Sequence, residues 1–282
     1  MIELLTGPWE LVFMQRAFVV GIVAAVMCGV VGSYVVLRGM AFIGDAVSHS
    51  VFPGVAVSYV VGGDLVLGGA VAGVATALII AAVSQSHRLS QDSVIGVFFA
   101  FAFGLGIVLV STQKSYTGDL SSFLFGQVLG ISNQDTIIVT VVAVILIGAA
   151  LLLRRPFTTV SLDRETARAA GLPVFLLEIG MYVLVTIAIV MSVQAVGNIL
   201  VLGLLITPAA AARLLTDRFG AMMVIAAAIG CFSAVLGLYL SYYLNLAAGG
   251  LIVVVLTGVF VLAGLLSPRH GLLVRRLFAR TS

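Results

Sequence analysis

About nine apolar windows, each close to a bilayer in length, follow one another along this chain with only short polar breaks between them. A water-soluble fold has no core large enough to hide so many such runs. In lipid, backbone N–H and C=O groups must be satisfied internally, which leaves helices and closed barrels. Windows of roughly 20 apolar residues, rather than ten-residue alternating segments, select helices. They lie at 13–37, 42–61, 65–84, 93–111, 136–153, 174–193, 199–214, 221–244 and 251–266. The seventh is short enough to be a bent or partial span. With 62% hydrophobic residues, 9% charged residues and a mean hydropathy of +1.26, composition points the same way. The expectation is an all-α polytopic helical bundle of about eight to nine transmembrane helices, forming a single domain over residues 1–282.

Charge placement orients the bundle, because loops on the cytoplasmic side retain Lys and Arg. Alternating the loops gathers Arg38, Arg88, Arg154, Arg155, Arg164, Arg168, Arg213, Arg218, Arg269, Arg275, Arg276 and Arg280 on one side, leaving Arg16 and Lys114 elsewhere. This puts the N-terminus outside and the C-terminus in the cytoplasm. Segment 114–134, which contains Leu124-Phe125-Gly126, is compatible with a short re-entrant helix. The net charge of +3 is accounted for by these interfacial arginines, and no aromatic-interleaved basic stretch suggests nucleic acid.

Cys28 and Cys231 sit inside apolar windows and read as small buried residues with no disulfide between them. Residues 1–10 lack the basic start and small-residue site of a cleaved signal peptide, and Trp9 reads as an interfacial anchor. Small residues at i, i+4 recur as Ala25/Gly29/Ser33, Gly69/Gly73 and Ala226/Gly230/Ala234. Such stripes let helix backbones approach, and packing is the expected role. Met27, Met191, Met222 and Met223 are likewise expected to pack rather than to bind a soft metal. Thr207-Pro208 is expected to break or bend the seventh span.

Two polar features stand out against this background. Asp45 and His49, four residues apart, open the second window and project from one helix face, where a carboxylate oxygen and an imidazole nitrogen can reach one divalent cation. Oxygen with nitrogen suits manganese, iron and zinc better than copper(I). Counting from Arg38 at 1.5 Å per residue puts His49 roughly mid-bilayer if the helix starts there. The plainer reading has Asp45 capping the helix and His49 bonding a neighbour. The second feature is the hydrophilic loop 154–173. Here Asp163 is a candidate N-cap, Glu165 and Arg168 match the helix dipole, Gly171 suits a left-handed C-terminal position and Pro173 stops the helix. That short helix is either a docking element or a connector. Glu178, one turn into the sixth window, is expected to meet an arginine or the cytoplasmic interface. Asp64, Asp119 and Asp135 lie at outer boundaries as caps or contacts for a delivering protein.

Five stretches taken in order resemble the permease subunits of ATP-binding-cassette (ABC) importers for transition metals, the manganese, zinc and iron branch also called ABC-3. They are Gly32-Ser33-Tyr34-Val35-Val36-Leu37-Arg38-Gly39-Met40-Ala41, the segment 45–54, Leu124-Phe125-Gly126, the helix 163–171, and Val196-Gly197-Asn198-Ile199-Leu200-Val201 leading to Leu205-Ile206-Thr207-Pro208-Ala209-Ala210. The form Ser48-His49-Ser50-Val51-Phe52-Pro53-Gly54 is closer to manganese-type members than to zinc-type ones. The resemblance implies a multi-pass protein of a prokaryotic cell membrane that moves a divalent metal by alternating access, with Asp45 and His49 as metal ligands. It also implies Asp163, Glu165, Ala167, Arg168 and Gly171 as the coupling helix that meets an ATPase.

The partners implied are a second permease subunit, most simply an identical one, a cytoplasmic ATPase dimer and an extracytoplasmic metal-binding protein. No permanently bound cofactor is expected, only the transported manganese, zinc or iron. No GxxxxGK[ST] phosphate loop occurs in the chain, so it is not expected to be an enzyme and ATP belongs on a partner. A different class, an ion-coupled secondary transporter, would use Asp45 and His49 as a proton relay. An importer of larger metal chelates is a nearer relative. An intramembrane metalloprotease is remote, because the chain has no HExxH.

Overall fold

The computed structural model describes residues 7–84, 91–111 and 130–267. Helix α1 (Val12–Arg38) is its axis, and its residues from Met14 to Val35 are buried on nearly every side. A helix that is apolar round its circumference needs such an environment. Around it pack α5 (Asn133–Leu152), α8 (Val174–Val196), α9 (Asn198–Leu215) and α10 (Phe219–Leu244), with α11 (Ala248–Leu266) against α9 and α10. A second group, α2 (Ile43–Val61), α3 (Leu65–Val83) and α4 (Gln91–Ser111), joins the first where α8 packs on α2 and α3. Two short helices, α6 (Arg154–Leu162) and α7 (Arg164–Ala169), connect α5 to α8.

Among the described residues six helices are long and apolar enough to cross a membrane: α1, α5, α8 over Val174–Val193, α9, α10 and α11. Helices α2, α3 and α4 occupy the second to fourth expected windows. Two shorter apolar stretches, Leu67–Val83 and Asp92–Gly106, lie within α3 and α4. Segment 112–129, with Leu124-Phe125-Gly126, Lys114 and Asp119, lies outside the described residues, as do His87, Arg88 and residues 268–282.

The small-residue stripes are contact seams, as their spacing implies. A Cβ on Gly29 would come within 2.8 Å of the Ala227 nitrogen, and one on Gly230 within 3.2 Å of the Ala25 carbonyl oxygen. Two stripes identified separately, one on α1 and one on α10, therefore pack on each other. Gly69 faces Val51 and Val55 of α2, and Gly73 faces Thr186 and Val190 of α8. In lipid, where apolar side chains gain little by leaving the solvent, such backbone proximity is a main source of helix association. Cys28 and Cys231 are free thiols. Met27, Met222 and Met223 are buried among apolar neighbours.

Three local readings are revised. Helix α9 runs unbroken through Pro208 and gains length beyond the expected window; the interruption falls instead at Gly197 (φ 85°), a conformation that favours glycine. Segment 154–173 holds two helices rather than one, because Pro156 sits in the first turn of α6, where no intrahelical N–H bond is lost. Helix α6 buries Phe157 and Val160, and Phe157 meets Tyr34 edge to face at 5.7 Å. Finally, α2 does not start near Arg38. Gly39, at φ 69°, ends α1 with its N–H donating to the Val35 and Val36 carbonyls, and α2 begins at Ile43.

Candidate functional site

The turn between α1 and α2 fixes where Asp45 and His49 stand. After Gly39, the Met40 N–H donates to the Val35 carbonyl and the Ile43 N–H to the Met40 carbonyl. Met40 and Ile43 are fully buried, so the start of α2 is pinned on both sides of the turn. Asp45 falls in the first turn of α2 and His49 in the second, a rise of about 9 Å from Ile43. This is a shallower position along the helix than a start at Arg38 implies. Ala46, Val47, Ser48, Ser50 and Val51 are buried, while Asp45 and His49 are half-buried. The serine hydroxyls turn back on their own helix, Ser48 to the Gly44 carbonyl and Ser50 to the Val47 carbonyl, each at 2.7 Å. Asp45 and His49 are thus the polar groups of this segment whose side chains are not spent on the backbone.

The sequence reading missed what holds the imidazole. The His49 ring lies edge-on to Phe99 (5.0 Å, 76°) and to Phe103 (5.1 Å, 89°), one turn apart on α4. Phe99 and Phe103 are themselves near-parallel at 6.1 Å. Edge-to-face contacts fix ring orientation and leave the ring nitrogens free to meet another group. The signal in the sequence is the i, i+4 pair within Phe98-Phe99-Ala100-Phe101-Ala102-Phe103, but nothing in it names His49 as the partner.

Chemically, Asp45 and His49 supply one oxygen donor and one nitrogen donor. Among the described residues no group of three or more His, Cys, Asp or Glu side chains gathers to hold a metal ion. Two of the outer-boundary carboxylates, Asp64 and Asp135, act as caps. Asp64 accepts from the Leu67 N–H at 3.0 Å, and Asp135 forms a capping box with Ser132 at the start of α5. Trp9 stacks on Phe18 at 4.6 Å and donates from its indole N–H to the Tyr239 hydroxyl at 2.6 Å.

The second candidate element, α7, is built as its sequence implies. Asp163 caps it, accepting from the Glu165 N–H at 2.8 Å and from the Thr166 hydroxyl. The Thr166 hydroxyl first, and the Glu165 and Thr166 N–H groups with it, hold the Asp163 carboxyl below its usual range. At the other end the Gly171 N–H donates to the Arg168 carbonyl (2.9 Å) and the Leu172 N–H to the Ala167 carbonyl (3.0 Å), with Gly171 at φ 75°. This is a Schellman termination. Ala167 is fully buried against Val160 and Val174, whereas Asp163, Glu165 and Arg168 are exposed. Helix α7 is therefore stapled to the bundle on one side and open on the other.

Beside it, Glu178 of α8 is buried (4% exposed) and ion-pairs with Arg38 at the end of α1 and with Arg164, the first residue of α7, at 2.6 Å. The Arg38 guanidinium also lies 5.7 Å from the Tyr182 ring centroid.

Comparison with known proteins accords with this architecture. The ABC 3 transport family model matches residues 10–267. The manganese transport system membrane protein MntC of Listeria monocytogenes is 42% identical over 269 residues, covering 95% of this chain and 96% of that protein. The chelated iron transport system membrane protein YfeC of Yersinia pestis is 37% identical over 276 residues, covering 98% and 94%. The structure of PsaBC from Streptococcus pneumoniae in complex with Fab superimposes with a TM-score of 0.85 at 34% identity, covering 99% of this chain and 100% of that one.

Proposed function

Because the chain belongs to the ABC 3 transport family, we propose that it is the membrane permease subunit of an ATP-driven importer that moves a divalent transition metal, manganese ahead of iron or zinc, by alternating access. The relatives named for manganese transport support that order of metals, and the relative named for chelated iron keeps iron in the set. The observation that carries the mechanism is the pair itself. Asp45 and His49 share one face of α2, are half-buried, and have their neighbouring serines closed onto the backbone.

As ligands for the transported ion they amount to half a set. A two-fold partner brings a second pair to the axis and gives four donors of O and N type. A site split between subunits opens when they move apart, which a tight four-ligand structural site within one chain cannot do. The chain acts as one domain over residues 1–282. Its nine spans are the six long apolar helices together with α2, α3 and α4, with cytoplasmic arginines at the ends of α1, α5, α9 and the connector. Helix α7 is the coupling helix: Ala167 anchors it, Gly171 terminates it, and Asp163, Glu165 and Arg168 face a cytoplasmic ATPase dimer. A metal-binding protein delivers the ion from the other side.

Asp45→Ala or His49→Ala in the complete complex is expected to abolish manganese uptake while membrane insertion and ATPase association persist. Uptake at the wild-type rate in both variants would overturn the assignment.

A further inference from the structure

Glu178 is a buried charged residue whose role the metal pathway leaves open. Among the described residues it is the one carboxylate that the fold buries, at 4% exposed. Its Oε1 takes both ion pairs, from Arg38 Nη2 and from Arg164 Nε. The two arginines differ. Arg38 is locked in, with its side chain 6% exposed and Tyr182 beside it, whereas Arg164 is 32% exposed and belongs to the short, outward-facing α7. The buried Arg38 Nη1 has no hydrogen-bond partner among the described residues. Buried ion pairs seldom add net stability over apolar packing, so a triad like this is better explained by the geometry it enforces. What it joins is specific: the last residue of α1, the second turn of α8 and the first residue of α7. Arg38 is followed directly by the Gly39 cap and the turn from which α2 sets out with Asp45 in its first turn.

We propose that Glu178 is a positioning residue for transport, a shared carboxylate through which displacement of α7 reaches the α1–α2 turn and hence Asp45 and His49. This inference rests on the permease reading above. In the arrangement seen here Arg164 and Arg38 share one oxygen of the carboxylate. When α7 moves with its ATPase, Arg164 withdraws and Glu178 turns its free oxygen to the unpartnered Arg38 Nη1. A one-atom contact then becomes a two-point, planar one that reorients the end of α1. The device has two discrete arrangements, as a coupling element requires, rather than a continuous strain.

The test uses the full complex of permease, its ATPase and its metal-binding protein in proteoliposomes, with manganese as the probe and two readouts, ATP hydrolysis and metal uptake. Glu178→Gln and Arg164→Gln are each expected to leave assembly and basal ATP hydrolysis in place. Both should lower manganese moved per ATP by about tenfold, within the usual range of coupling between sites. The double variant is expected to lose no more than either single variant, because one link is cut in all three, and Glu178→Asp should recover part of the loss.

A wild-type ratio of manganese to ATP in Glu178→Gln, or losses that multiply in the double variant, would overturn the proposal. Should Glu178→Gln fail to fold, Arg164→Gln, at a part-exposed position, decides alone: an unchanged ratio there overturns it. Failure of the underlying reading looks different, since wild-type uptake would then not depend on ATP at all.

Discussion

Gly32→Ala is the sharpest probe of how this bundle is held. A Cβ built on Gly32 of α1 would stand 1.8 Å from the Leu205 carbonyl oxygen, 2.8 Å from the Leu205 carbonyl carbon and 3.3 Å from its Cα. An ordinary carbon-to-oxygen contact needs about 3.3 Å, so α1 and α9 must part locally by roughly 1.5 Å. The obstacle is backbone, and no rotamer change relieves it. Leu205 lies three residues before Pro208, on the turn of α9 that continues through the proline, so that turn is already short of one hydrogen bond. Overpacking of a tight core costs typically about 1–3 kcal/mol, and a backbone obstacle puts this site at the top of that range, about 3 kcal/mol.

The control is Gly148→Ala or Gly258→Ala, where an added Cβ meets nothing within 4 Å. There the better helix propensity of alanine is expected to leave stability unchanged or raise it by up to about 1 kcal/mol. Reversible unfolding of the purified permease from mixed micelles by SDS titration measures each difference. If Gly32→Ala unfolds within about 0.5 kcal/mol of the wild type, the close approach of α1 to α9 is not what holds these helices, and the reasoning fails.

Two further outcomes follow from the site. Phe99→Ala removes one of the two edge contacts that orient His49; at about 0.5–1.5 kcal/mol for such a contact, the half-saturating manganese concentration for uptake should rise by about two- to twelvefold, and an unchanged value would dismiss the aromatic clamp. Gly171→Ala meets no atom within 4 Å but forces a Cβ into φ 75°, a cost of about 1–2 kcal/mol. ATPase binding to the permease should therefore weaken, and less so in Gly171→Asn, because asparagine tolerates the left-handed region; equal binding by all three proteins would refute it.

What was legible in the sequence was whatever a single helix writes into its own pattern. Apolar windows located the long helices because bilayer length and composition are local properties. The ends of α7 were legible because Asp163 and Gly171 cap through bonds to residues within five positions. The stripes Ala25/Gly29 and Ala226/Gly230 could each be recognised, yet only the fold matches one with the other. Partner choice across the bundle was not legible. Arg38 and Glu178 are separated by 140 positions, and many arginines near the same end were equally eligible for that carboxylate. The clasp of Phe99 and Phe103 on His49 depends on how α4 packs on α2. Helix α6 was missed because the whole segment 154–173 reads as one short helix capped by Asp163, whereas Pro156, in a first turn where no intrahelical bond is lost, opens another helix ahead of it.

The placement of polar groups explains why such a chain would carry both a pair and a triad. A carboxylate sunk in an apolar bundle must be paired or lose its charge. Glu178 is paired twice within the chain, and its geometry is thereby fixed by three helices. The Asp45 and His49 pair is treated in the opposite way. The fold buries the serines beside it, seats the imidazole against two rings that offer no hydrogen-bond acceptor, and leaves the pair half-exposed. Under the proposed two-fold assembly, satisfaction of that pair is deferred to a second subunit and a passing cation, so its occupancy varies with the distance between subunits. A fully satisfied pair would be inert to that motion, and a fully exposed one would not select an ion. The intermediate burial is therefore the property to preserve. An added acceptor at the clamp, as in Phe103→Glu, should hold manganese more tightly while slowing its passage, and faster uptake together with tighter binding would contradict this account.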